Sequence, residues 1–160
     1  MDVTTASNQR PSSIPPADYG GNIDLRNLTV ESTLFLPVQI EGAGLYIGNP
    51  HFTQGNGEVS LTALEASLRA TLRVQVVPTA EAKRLFGRTD LPFAISHGTL
   101  IPMGFSSTLD DALSQSVEHA IDMITAMFEM PRQQVYLLLS AAINFNVTQV
   151  VDITPKAFTV

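Results

Sequence analysis

Six side chains in this sequence are of the types that move protons, hold cations or steady a developing charge: Asn22, Asp24, His51, Glu58, Glu65 and His97. His51 and Glu58 stand close together in the stretch GNPHFTQGNGEVS, joined by a glycine-rich link. If Gly55-Asn56-Gly57 turns the chain back, both side chains face one cleft. Asn56-Gly57 suits such a turn, because both residues tolerate positive φ. An imidazole beside a carboxylate binds a hard or borderline cation, or activates a water. The plainer reading has His51 capping a loop and Glu58 opening a strand toward solvent, and spacing leaves both open. Asn22 and Asp24 follow Gly20-Gly21, a pair that lets backbone approach something closely or simply leads through an Asx-turn into a strand. Glu65 lies between Leu64 and Ala66. Buried, it needs a partner; at a bulge, it is exposed. His97 precedes a glycine and reads as a surface-loop histidine. His119 falls on the polar face of a helix and receives no role, and Asp110 and Asp111 read as helix-start residues.

Other chemistries are excluded by composition. The chain has no cysteine, so disulfides, thiolate zinc sites and cysteine nucleophiles are absent. No serine sits in a Gly-x-Ser-x-Gly elbow. The stretch GNGEVS lacks the lysine of a phosphate loop, and no Gly-x-Gly-x-x-Gly follows a strand. A hydrolase built from these residues would use an activated water and not an acyl-enzyme. The net charge of −6 argues against nucleic acid and anionic membranes as partners, since both select basic patches. No run approaches the roughly 20 apolar residues of a membrane span. The first residues carry no apolar signal-peptide core, so a cytoplasmic protein is expected.

The elements that must position these groups change character along the chain. Residues 1–18 are polar and proline-bearing and read as a flexible N-terminal tail, or an arm lying on a partner. Residues 19–160 read as one domain, and its first part, 19–104, favours strands. STLFLPVQI, GLYIG, LPFAIS and GTLIPMG are the candidates. From Ala66 to Val76 the even positions are apolar and the odd ones polar, the period of a strand with one wet face. A helical stripe competes through Leu61, Leu64, Leu68 and Leu72, but the valine-rich end favours the strand. Residues 105–160 read as helix, helix, strand. Thr108 caps a helix whose apolar residues recur at three- and four-residue spacing from Leu109 to Phe128. PRQQVYLLLSAAI follows as a second helix with Pro131 in its first turn, and FNVTQVVDI closes the order as a strand. The expected class is α+β: a mostly β, sandwich-like N-terminal part, then an α/β C-terminal part with two helices and a closing strand.

In order along nearly the whole chain, these residues also resemble a known family. Gly-Gly-Asn-x-Asp at residues 20–24, Gly-x-x-His-x-x-x-Gly-x-Gly-Glu at 48–58 and Ala-x-Glu at 63–65 are together similar to the central signature of the acetamidase/formamidase family. TLDDALSQSVEHAIDMI, VYLLLSAA and VTQVVDI resemble its C-terminal part. The resemblance implies hydrolysis of short linear amides, such as formamide or acetamide, to the acid and ammonia. It implies Glu58, His51, Glu65 and Asn22 as catalytic residues, with Glu58 or Glu65 as the base for water and Asn22 holding the amide oxygen. Gly21, Asp24, Asn49, Gly55 and Gly57 would shape the substrate loops. A divalent metal, zinc or calcium, would be held by His51, Asp24 and Glu65. The family has His, Asp, Asp and Asp where this chain has Tyr19, Asn49, Asn56 and Asn144, so charge is lost at those positions. Its members carry a further N-terminal β region. The expected partners are therefore a small amide and either further copies of this chain or a chain supplying that region. The alternative is a truncated, non-catalytic relative that acts as a subunit or binding module.

Overall fold

The computed structural model describes residues 1–152 and the backbone of Lys156–Thr159. In chain order the strands before the first helix are β1 (Pro16–Ala17), β2 (Gly20–Gly21), β3 (Thr33–Phe35), β4 (His51–Thr53) and β5 (Leu64–Glu65). Helix α1 (Thr79–Phe86) follows, then β6 (Phe93–Ser96), β7 (Thr99–Ser106), α2 (Leu109–Phe128), α3 (Arg132–Ala142), β8 (Asn146–Gln149) and β9 (Lys156–Thr159). The class is α+β. An antiparallel sheet in the order β3-β6-β7-β9-β8 forms the centre, and β1-β2 and β4-β5 are separate two-stranded pairs.

Period-2 patterning in β7 explains both of its faces. Ile101, Met103 and Phe105 point to one side and are buried with Ala94, Ile23 and Leu25. On the other side α2 crosses so closely that a Cβ on Gly104 would overlap the Ala112 carbonyl and the Ser116 amide. Glycine is therefore what lets helix and strand touch. Helix α2 begins as its sequence indicates: the Thr108 side chain accepts from the Asp111 amide at 3.1 Å, satisfying an orphan donor of the first turn. A second core joins α2 to α3 through Ala120, Ile121, Val135 and Leu139. Pro131 serves as the N-cap of α3, with its carbonyl accepting from Val135.

Several expectations are corrected. The alternating run 66–77 is not a strand of the described fold, because no neighbouring segment supplies a ladder; only Leu64–Glu65 pair, with β4. The region also holds α1, which was not foreseen although Pro78 starts it, Glu81 and Lys83-Arg84 match the helix dipole, and Gly87 ends it at φ 68°. GLYIG contributes only an isolated bridge at Tyr46. His119 is fully buried and not on a wet face; its Nδ1 lies 3.0 Å from the Met103 carbonyl. Burial holds its pKa below the ordinary histidine value. The N-terminal segment, read as a tail, makes defined contacts: Asp2 exchanges backbone bonds with Tyr46, Val3 donates to Tyr19, and Pro16–Ala17 pair with Gly20–Gly21.

Candidate metal and amide site

The site is assembled from three loops over one edge of the core. Ile23 and Leu25 plug into that core, which turns the alternating Asn22 and Asp24 away from it. Gly20 and Gly21 lie at φ 107° and 88°. What they approach closely is the chain itself: a Cβ on Gly21 would stand 2.7 Å from the Pro15 carbonyl oxygen.

The second loop carries His51 at the start of β4, opposite Glu65 in β5. The third is the Gly55-Asn56-Gly57 turn that delivers Glu58. Gly57 takes φ 94°, donates to Thr148 and accepts from Val150, both at 3.0 Å. That zipper fixes the turn to the end of β8, from Thr148 to Val150. Glu58 itself is buried at 8% exposure, and its Oε2 has no hydrogen-bond partner.

Asp24, His51 and Glu58 each place a ligand atom within 4.8 Å of the others. His51 Nδ1 lies 3.0 Å from Gln54 Oε1. The Gln54 amide nitrogen donates to the Asp24 and Thr148 carbonyls at 2.5 and 3.4 Å, which assigns its oxygen to the histidine. Nδ1 therefore carries the proton, and Nε2 offers its lone pair. That Nε2 is buried without a hydrogen bond. It faces Asp24 Oδ1 at 3.8 Å and Glu65 Oε1 at 3.4 Å. Acceptor atoms aimed at one another at such distances need a proton or a cation among them. The donor set, one imidazole and hard carboxylates, fits a divalent ion.

The electrostatics agree. Asp24 is pushed up to about 8, first by burial, then by bonding to the Asp152 carboxyl and by the charges of Glu58 and Asp152. Glu58 is raised too, chiefly by burial, while its contact with Asp24 pulls the other way. Asp24 is thus the group that keeps a proton in the cluster.

Of the residues singled out in the sequence, Asn22, Asp24, Asn49, His51, Glu58 and Glu65 come together. Asn22 Nδ2 donates to Asp152 at 3.1 Å. Asn49 donates to Asn22 Oδ1 at 2.9 Å and lies 3.5 Å from Asp24 Oδ1. Glu65 remains accessible, with 46% of its side chain exposed, so the compact triad contains Glu58 while Glu65 flanks it. Gly55 and Gly57 form the turn, and Gly21 lies behind Asn22 in β2. Asn56 and Asn144 are exposed. His97 stands apart, at the β6–β7 turn beside Thr29. Three contributors were missed: Gln54, Asp152 and Gln149, whose amide donates to the Asn22 carbonyl at 3.1 Å. Gln54 follows His51 by one short step, a signal that was there to find; Asp152 and Gln149 are brought in only by the fold. Open clefts adjoin the site: one of about 420 Å³ includes Asn22, Asn49, Leu61 and Asp152, and one of about 400 Å³ includes Gln54, Glu58 and Leu64.

A sequence-family model described as the acetamidase/formamidase family matches residues 2–160. The chain belongs to the acetamidase/formamidase family. Among curated relatives, it is 46% identical over 48 residues to a formamidase of Methylophilus methylotrophus, covering 30% of this chain and 12% of that protein. It is 44% identical over 54 residues to an acetamidase of Mycolicibacterium smegmatis, covering 34% and 13%. The fold matches a crystal structure of an acetamidase from Bacillus halodurans with a TM-score of 0.76 at 22% identity, over 99% of this chain and 52% of that one. An acetamidase structure from Yersinia enterocolitica gives 0.79 at 23% identity, over 99% and 46%. This acetamidase/formamidase-family chain thus spans about half the length of the solved structures it matches. Among its described residues no helix is long and apolar enough to cross a membrane.

Proposed function

We propose that this chain carries the reaction centre of a hydrolase acting on short linear amides such as formamide or acetamide, releasing the carboxylic acid and ammonia. The observation that carries the reading is the cluster itself: Asp24, His51 and Glu58 converge, and buried His51 Nε2 and Glu58 Oε2 lack partners, in a chain of this family. A divalent cation, zinc or calcium, would be held by these three residues and would supply Lewis-acid polarisation of the amide carbonyl. Gln54 holds the imidazole in the tautomer that presents Nε2. Glu65, beside His51 and open to solvent, takes the proton of an attacking water. Asn22 is fixed at both ends of its amide, by Asp152 and Asn49, and it offers its remaining N–H to the oxygen on which charge develops.

Asn49 favours the second reading, a non-catalytic binding subunit. Where the resemblance implies an aspartate, this chain has an amide that donates to Asn22 and removes a negative charge from the cluster. The deciding experiment measures ammonia release from formamide and acetamide by the purified chain, with added zinc, with calcium and with chelator. Cation-dependent release that is lost in Glu58→Gln and Glu65→Gln supports the hydrolase. Folded protein that binds cation and releases no ammonia from either amide would establish the binding subunit instead.

A further inference from the structure

The three loops of the site meet one short stretch, Thr148 to Val150, at the end of β8. The Thr148 carbonyl accepts from the Gly57 amide at 3.0 Å and from the Gln54 side chain at 3.4 Å. The Val150 amide donates to the Gly57 carbonyl at 3.0 Å. Between these two, Gln149 sends its side-chain amide to the Asn22 carbonyl at 3.1 Å. β8 ends the order of the central sheet, with Gln149 in register with Ala157 of β9, so the stretch is itself anchored. Gln149 is fully buried, and its Oε1 has no hydrogen-bond partner among the described residues. All of these bonds run within the chain and beneath its surface loops.

The bond to Asn22 falls where it controls most. The peptide joining Asn22 to Ile23 is rigid and planar. Its N–H donates to the Gly21 carbonyl at 3.1 Å, and its C=O takes the Gln149 amide. That plane sets where the Asn22 side chain hangs. It also sets where Asp24 stands, beyond Ile23, which is buried in the core. The main chain of the same Gln149 is bridged to Gly57, the residue before Glu58. One residue thus grips the Asp24 loop through its side chain and the Glu58 turn through its backbone.

We propose that Gln149 is a positioning residue of the reaction centre: it holds Asp24 and Glu58 at the separation a divalent cation needs and aims the Asn22 amide at the substrate oxygen. The assignment rests on reading the cluster as a cation-dependent hydrolase site. A residue that only fills the core and a residue that positions differ in what their loss does. Gln149→Met keeps the length and flexibility of the side chain. It removes the donor to Asn22, which costs stability, and it also removes the buried, unpaired Oε1, which restores some. The fold is therefore retained while the Asn22–Ile23 peptide is released.

The test applies zinc calorimetry, side-chain amide NMR and thermal unfolding in chelator to the full chain and to Gln149→Met. The variant is expected to bind zinc about tenfold to a hundredfold more weakly and to shift the Asn22 side-chain amide signals. Its Tm in chelator is expected to stay within about 4 °C of the parent. In ammonia release, kcat is expected to fall about tenfold or more with KM changed less than about twofold, because Asn22 acts on charge that develops after binding. On an Asn22→Ala background, Gln149→Met should lower kcat less than it does on the parent, since the two act partly through one side chain. The parent supplies a readout that no variant has to fold for: saturating zinc is expected to shift the Gln149 side-chain amide signals and slow their exchange.

A variant with the parent's zinc affinity and unchanged Asn22 signals overturns the proposal. A large loss of Tm with zinc affinity retained does so too, since Gln149 would then be structural only. So do Gln149 amide signals in the parent that zinc does not move. A parent that binds zinc and releases no ammonia sinks the hydrolase reading instead, and the zinc and NMR results still decide Gln149. A parent that binds no cation sinks both readings at once, a result distinct from equal binding by parent and variant.

Discussion

Asp24→Asn should make the cation-free protein more stable while weakening its hold on a cation. Asp24 is buried, its side chain only 5% exposed, and its carboxyl is pushed up to about 8 from the ordinary 3.8. The sign follows from linkage: the folded state binds this proton more tightly than the unfolded state, so stability is fullest below 3.8. It falls as pH rises from about 3.8 to about 8 and is level above. Asparagine mimics the protonated acid, keeps a similar shape and tolerates the left-handed φ of 47° found at this residue. At about 1.4 kcal/mol per pH unit, the upper bound of the gain at pH 8 is on the order of 6 kcal/mol. Glu58 and Asp152 share the cluster's charge, so a gain of roughly 2–3 kcal/mol is the working expectation. For a chain of this size that is about 5–10 °C in Tm.

The assay is thermal unfolding of both proteins in chelator at pH 4 and pH 8. The variant's advantage should be near zero at pH 4 and largest at pH 8. Saturating zinc should then raise the parent's Tm more than the variant's, because the cation replaces the proton that Asp24 otherwise keeps. A parent as stable as the variant at pH 8 in chelator would refute the buried, proton-holding Asp24.

Glu58→Gln and His51→Ala should each abolish the zinc-dependent rise in Tm, measured with zinc at a concentration that saturates the parent. Gln54→Ala should reduce zinc affinity by about tenfold to a hundredfold in calorimetric titration, because the imidazole loses the acceptor that sets its tautomer. Gly104→Ala should cost about 3 kcal/mol or more in denaturant unfolding, since its Cβ has no room against α2. Thr108→Ala should cost about 1 kcal/mol through the lost N-cap of α2.

What the sequence revealed depends on how local the controlling interaction is. Helix α2 was legible because its cap, its dipole-matching acids and its apolar spacing all lie within the segment. β6 and β7 were legible because a tight turn joins them. The run 66–77 misled because alternation reports which side is apolar and says nothing about whether a ladder partner exists. His119 misled because the polar neighbours on its helix outvoted a contact with Met103, a residue on β7. The same division holds at the site. His51, Glu58, Asn22 and Asp24 were visible as residue types near glycines. Asp152 reaches Asn22 only after the sheet is built, and no spacing rule links positions so far apart.

Backbone conformation supplies the argument that residue types could not. Asp24, Asn49, Glu58 and Asp152 take φ values of 47°, 53°, 40° and 67°. Each left-handed residue costs on the order of 1 kcal/mol, and these four carry the hydrogen-bonding and ligand groups of the site. Asparagine and aspartate are tolerated there, because their short polar side chains bond locally. Glu58 has no such excuse. Its carboxylate is buried, one oxygen is unbonded, and the turn before it is already made by Gly57. Glu31 and Glu129 also take left-handed φ values, 67° and 52°, but are exposed; what sets Glu58 apart is a buried carboxylate within 4.8 Å of ligand atoms of Asp24 and His51.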